Sequence, residues 1–179
     1  MKGWVSACAF LAAAWLVGCA AVTSSRPVGE GPALLSADEW DGTWIGGEVS
    51  VTLVVEDPQK GLLRVFWAES KREGPVLESY RVEVRRTGDW TFGNVADAES
   101  GGWFWALVAK REGRIVVLLP DADRMGALVE SGALPGVQAE GSVRLGPLTE
   151  DHVRRLMDDP SGVCAFDWKD PLVLIRVGR

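Results

Sequence analysis

Histidine is almost absent from this chain: 179 residues contain one, His152. A single imidazole excludes a multi-histidine metal site within one chain and leaves a protease-like triad with one candidate base. Cysteine is scarce as well, with three residues, and no Gly-x-Ser-x-Gly elbow is present. Basic side chains number 19 against 25 acidic ones, a formal charge of -6. That balance argues against a nucleic-acid partner met by bulk attraction. Apolar residues are plentiful at 47%, too many for a chain disordered throughout, and the length suits one domain.

The chain opens with Met1-Lys2-Gly3, followed by an apolar stretch from Trp4 to Val17 that leads into Gly18-Cys19. One basic residue, a short apolar run and a small-residue exit make the three-part pattern of a secretory signal. At about 1.5 Å per residue the stretch is short for a hydrocarbon layer of roughly 30 Å, and the next basic residue is Arg26. A permanent membrane-spanning helix is therefore the weaker reading. Leu16-Val17-Gly18-Cys19 resembles the bacterial lipobox. The resemblance implies that the signal peptide of residues 1–18 is removed, that Cys19 takes a diacylglycerol thioether, and that its amine is acylated with a chain such as palmitate. Ala20, standing where an aspartate would retain the protein at the inner membrane, implies a lipoprotein of the cell outer membrane with its domain facing the periplasm. The competing reading is ordinary secretion with cleavage near Ala20 or Ala21. Loss of Lys2 takes the charge from -6 to -7. Cys8 leaves with the signal, Cys19 is committed to lipid, and Cys164 is left without a disulfide partner, so an apolar core must supply the stability.

Residues 19–35 hold Thr23-Ser24-Ser25, Pro27, Gly29, Gly31 and Pro32 without periodicity, and read as the lipidated cysteine and a flexible tether. A single β-rich domain then spans 36–179. Ser36, with Glu39 three residues on, has the spacing of a capping box and opens a short helical turn to Trp40. Val49, Val51, Leu53 and Val55 alternate with polar residues. Strands follow over Leu62 to Glu69, around Tyr80-Val82-Val84, and over Trp90 to Val95, Trp103 to Lys110 and Arg114 to Leu119, each bounded by a turn containing glycine. A short helix is expected from Ala122 to Glu130, a return to the sheet from Gly136 to Leu145, a second helix after Thr149-Glu150-Asp151, and a terminal strand from Leu172 to Val177. The expected class is mainly β: an antiparallel curved sheet or closed barrel of about eight strands with one or two short helices. A two-sheet sandwich is the alternative.

The turn from Ser36 to Trp40 and then Gly42-Thr43-Trp44 resemble the start of lipocalin-type barrels, in which a helical turn precedes Gly-x-Trp on the first strand. The resemblance implies that Trp44 plugs the closed end, and that an arginine from a late strand, here Arg176, packs against it. The family's usual disulfide is missing.

No catalytic set emerges. His152 lies inside the helix that follows Thr149, bordering its apolar face, and Cys164 sits in an apolar run. Asp121, Asp123 and Glu130, or Asp158, Asp159, Asp167 and Asp170, lack the spacing of a calcium loop, so no metal is expected. Glu48, Glu69, Glu78 and Glu83 supply carboxylates whose pairing sequence does not define. Nor is a cofactor expected, because Gly46-Gly47 and Gly101-Gly102 lack the context of a phosphate loop.

Tryptophan is the unusual abundance, nine in all, of which Trp4 and Trp15 belong to the signal. Trp67 and Phe66, or Trp103, Phe104 and Trp105, make strands apolar on both sides. Such rings fill a core, or they line a site for a sugar, an acyl chain or a protein contact. The candidate site comprises Trp67, Tyr80, Trp90, Trp103 and Trp105, with Arg64 and Arg81 as polar partners, beside the lipid attachment at Cys19. The leading expectation is a non-enzymatic, membrane-anchored protein that binds another envelope component, as an assembly factor, an inhibitor or an immunity-type protein. A lipocalin-like carrier of an apolar ligand is the alternative, and a hydrolase of envelope glycan or lipid the third reading.

Overall fold

A computed structural model describes residues 21–71, 74–139, 141–158 and 165–178. The expected signal, Cys19 and Cys164 lie outside the described residues. Eight strands close into an antiparallel barrel, which excludes the sandwich. β1 (Val22–Ser24) and β2 (Gly31–Pro32) precede the barrel, and α1 (Ala37–Trp40) leads into it. The barrel begins with seven strands in sequence: β3 (Gly42–Gly46), β4 (Val49–Asp57), β5 (Leu62–Lys71), β6 (Gly74–Thr87), β7 (Trp90–Ala96), β8 (Trp103–Arg111) and β9 (Arg114–Leu118). Each pairs with the next. The eighth strand, β12 (Leu172–Arg176), joins β9 to β3 through the registers Leu174↔Ile115 and Ile175↔Ile45. Closure leaves no free edge around the ring.

Between β9 and β12 the chain makes a long excursion through α2 (Ala122–Glu130), β10 (Gly136–Ala139), β11 (Ser142–Leu145) and α3 (Glu150–Met157). Its two ends are zipped together. Asp121 N–H donates to Ala165 C=O at 3.0 Å, Asp167 N–H donates to Leu119 C=O at 2.9 Å, and Pro120 bridges to Phe166. The excursion therefore replaces a hairpin turn without altering the order of the barrel. Both helices start where their caps lie: the Asp121 carboxylate accepts from Arg124 N–H at 3.0 Å, and the Thr149 hydroxyl accepts from His152 N–H at 3.4 Å. His152 Nδ1 in turn accepts from Thr149 N–H at 3.0 Å, so the imidazole completes a capping box. At α1 the expected box does not form. Ser36 makes no side-chain cap bond, and Glu39 pairs with Lys110 at 3.0 Å.

The sheet forks at β8. The second half of this strand pairs with β9, while its first residues pair with β1 through Thr23↔Phe104 and Ser24↔Trp103. β11 runs parallel to β1 on its other side, and β10 is outermost. This annex and the two helices cover the outer wall of β7, β8 and β9, producing a second core around Phe92, Trp105, Leu118, Met125, Leu145, Leu156 and Phe166.

The segment expected to be a flexible tether is part of the domain. Val22, Val28, Ala33 and Leu35 are buried. Asn94, fully buried on β7, serves Val28 as a strand neighbour would: its Oδ1 accepts from Val28 N–H at 2.6 Å, and its Nδ2 donates to Val28 C=O at 3.1 Å. Farther on, Ala33 N–H donates to Val84 C=O at 2.9 Å. Glycine and proline in this stretch provide an extended strap rather than freedom, because its four apolar residues have cores to enter. The domain therefore begins by Val22, not at Ser36.

Candidate ligand-binding mouth of the barrel

Alternation decides what faces inward. On β5 the inward set is Leu63, Val65, Trp67, Glu69 and Lys71, and on β6 it is Val84, Val82, Tyr80, Glu78 and Val76, matched across the strands by Val65↔Tyr80 and Trp67↔Glu78. Exposure rises steadily along these rows. Leu63, Val65, Trp67, Val84, Val82 and Tyr80 are buried, whereas Glu69, Lys71, Glu78 and Val76 are only half-buried. β4 and β12 show the same trend, with Leu53, Val51 and Leu174 buried and Val49 and Leu172 half-buried. One end of the barrel is thus packed solid, and the other admits water down to the level of Trp67 and Tyr80.

The packed end carries the expected plug. Trp44 is fully buried, its Nε1–H donates to Trp40 C=O at 3.1 Å, and the Arg176 guanidinium lies 5.5 Å over its ring. Arg176 also donates to Asp38 C=O at 2.9 Å and to Asp41 C=O. Gly42 has φ +133°, and a Cβ there would meet Arg176 Nε at 3.3 Å, so both conformation and space call for glycine. A shallow surface hollow of about 460 Å³ lies outside this plug, lined by Asp38, Glu39, Lys110, Arg111 and Arg176 among others.

At the mouth, Glu69 is paired with Lys71 at 3.5 Å. Glu78 Oε2 is buried, and no hydrogen-bond donor reaches it. A buried acceptor left without a donor costs about 1–3 kcal/mol, more for a charged group.

Of the five candidate rings, only Trp67 and Tyr80 come together, in the barrel interior. Trp105 points the other way into the second core, edge-on to Phe92 at 6.0 Å and to Phe166 at 5.6 Å. Trp90 is exposed at the start of β7, at the packed end, and Trp103 is half-buried at the start of β8, beside β1. Arg64 and Arg81 are not partners of Trp67 and Tyr80. They face each other on the outer wall and share Glu56, with ion pairs of 2.7 and 3.1 Å. Alternation already required this, since Arg81 follows Tyr80 directly and Arg64 stands three residues before Trp67. Glu78 was visible only as one of several carboxylates, and no local signal set it apart.

The outer wall of β3 to β6 has no covering layer among the described elements. Leu77, Phe66 and Ile45 are exposed there, at 75%, 48% and 48%, and Ile175 beside them on β12 at 53%. The ladder links them through Leu77↔Ala68, Ala68↔Ser50, Ser50↔Ile45 and Ile45↔Ile175. Among the described residues, no group of three or more His, Cys, Asp and Glu side chains is arranged to hold a metal ion, and no helix is long and apolar enough to cross a membrane. The closed eight-stranded barrel with its added strands is consistent with a lipocalin-like fold. No protein-family model, no curated protein and no solved structure matches the chain.

Proposed function

We propose that this protein is a lipid-anchored, non-catalytic binding protein of the bacterial envelope whose barrel takes a small apolar ligand through its mouth. The observation that carries the reading is the graded interior. The inward side chains are close-packed at the Trp44 end and open to water at the Trp67–Tyr80 end, so a ligand entering there would meet two aromatic rings and Val49, Val76 and Leu172. Aromatic and aliphatic walls with few polar groups are the usual make-up of small-molecule sites.

The lipobox resemblance supports a place at the membrane, with acyl chains on Cys19. Because Val22 is already in β1, only three peptide units separate that anchor from the fold, about 10 Å at full extension. The barrel would be held close to the bilayer rather than swing on a tether. Native mass spectrometry of the protein with lipids, fatty alcohols and alkylamines tests the ligand reading. Saturable one-to-one binding that weakens at least tenfold in Trp67→Ala is expected, and the absence of saturable binding across the panel overturns it.

A second reading rests on the bare outer wall. The exposed row from Leu77 to Ile175 supports docking of an envelope protein, since contiguous apolar surface is characteristic of interaction sites. Crosslinking in whole envelopes should capture a partner through Phe66 or Ile45. If nothing is enriched over a control anchored through Cys19 alone, that reading fails.

A further inference from the structure

We propose that the mouth selects ligands bearing a protonated amine, with Glu78 as the recognition group. The inference rests on the mouth being a ligand site and adds the chemical class. Three observations converge. First, Glu78 Oε2 is buried without a donor, and an ionised carboxylate only accepts hydrogen bonds, so the missing partner is a donor. Second, Glu78 lies directly across the ladder from Trp67 and two residues before Tyr80 on the same inward face. Aromatic faces attract cations and offer nothing comparable to an anion. Third, the other inward carboxylate on these two strands, Glu69, is compensated by Lys71. Glu78 is therefore the uncompensated carboxylate of the inward rows of β5 and β6.

A primary ammonium on an apolar tail fits all three. Its N–H groups supply the donor, its charge supplies the counter-ion, and its tail continues toward Val65 and Val82, deeper in the same rows. A carboxylate head would meet Glu78 with like charge. A hydroxyl head would satisfy the hydrogen bond and leave the charge.

The test uses the full chain carrying Cys19→Ser, so that no acyl group competes for the probe, with hexylamine, hexan-1-ol and hexanoate titrated by calorimetry at neutral pH. Hexylamine is expected to bind about tenfold or more tightly than hexan-1-ol, consistent with a charge-assisted bond replacing a neutral one, and hexanoate most weakly. In Glu78→Gln the advantage of hexylamine over hexan-1-ol should shrink to within about twofold. Equal binding of all three probes removes the amine class and leaves the mouth as a ligand site. Failure of all three removes both readings. An amine preference that survives in Glu78→Gln overturns the assignment to Glu78. The ranking of the three probes on the unsubstituted site needs no variant at position 78, so the proposal stays testable even if that variant does not fold.

Discussion

The two ends of the barrel treat polar groups differently. At the packed end, Arg176 is the inward charge, and its guanidinium is held by two backbone carbonyls and the face of Trp44. Lys110 lies over Trp40 and pairs with Glu39 in the same way. At the mouth, Glu78 has a buried oxygen with no donor. The packed end is finished within the chain; at the mouth one carboxylate oxygen is left for the proposed ligand.

The comparison breaks most readily at Trp44. Trp44→Ala should cost about 3–5 kcal/mol, because a fully buried indole is lost from a site flanked by Arg176 and the backbone of α1. Urea unfolding that shifts by less than about 1 kcal/mol would show that the plug is not what holds the barrel. Next comes Asn94→Ala, which strips both backbone groups of Val28 and the Glu83 carbonyl of their partner. The expected loss is about 2–3 kcal/mol, and exchange of the Val28 amide should accelerate well beyond that of the barrel amides. If the strap were only lying on the surface, the two would change together or not at all.

Glu78→Leu should behave in the opposite sense to Trp44→Ala. Removing a buried carboxylate oxygen without a donor leaves stability unchanged or raises it by up to about 1 kcal/mol. A clear drop in melting temperature would mean that Glu78 is structural and that the two ends are alike. The smallest effect belongs to the packed end's β4–β5 turn. There the Lys60 backbone N–H, followed by the Lys60 ammonium at 3.2 Å, holds the Asp57 carboxyl below its ordinary 3.8. A lowered carboxyl stabilises the fold above the ordinary value and loses that contribution as pH falls through the folded one. Lys60→Ala removes only the ammonium, so an NMR titration should find Asp57 moved part of the way back up.

Much of the barrel was legible from alternation. The strands from Val49 to Leu119 and the helices after Asp121 and Thr149 stand where the residues implied, and Arg176 lies over Trp44 as the resemblance to lipocalin-type barrels implied. Each depends on contacts within a few residues, or on a motif whose partner is of one chemical type. The strap was misread because its glycines and prolines describe backbone preference, whereas Val22, Val28, Ala33 and Leu35 are held by surfaces built much later in the chain. The division of the tryptophans was equally hidden. Trp105 and Trp67 stand on strands of similar pattern, yet the annex covers the outer face of β8 and leaves that of β5 bare, with Phe66 exposed.

Taken by itself, the amino-acid sequence determined which stretches are strands, which side of each strand is apolar, and where the helix after Thr149 is capped, because these follow from the two-residue repeat and from hydrogen bonds to near neighbours. Only the tertiary structure decided that β12 closes the ring after so long an excursion, that the N-terminal strap is pinned by Asn94, and that Glu78 rather than Glu69 lacks a partner. Those outcomes rest on burial and charge compensation, which depend on every group that arrives around a residue, whatever its distance along the chain.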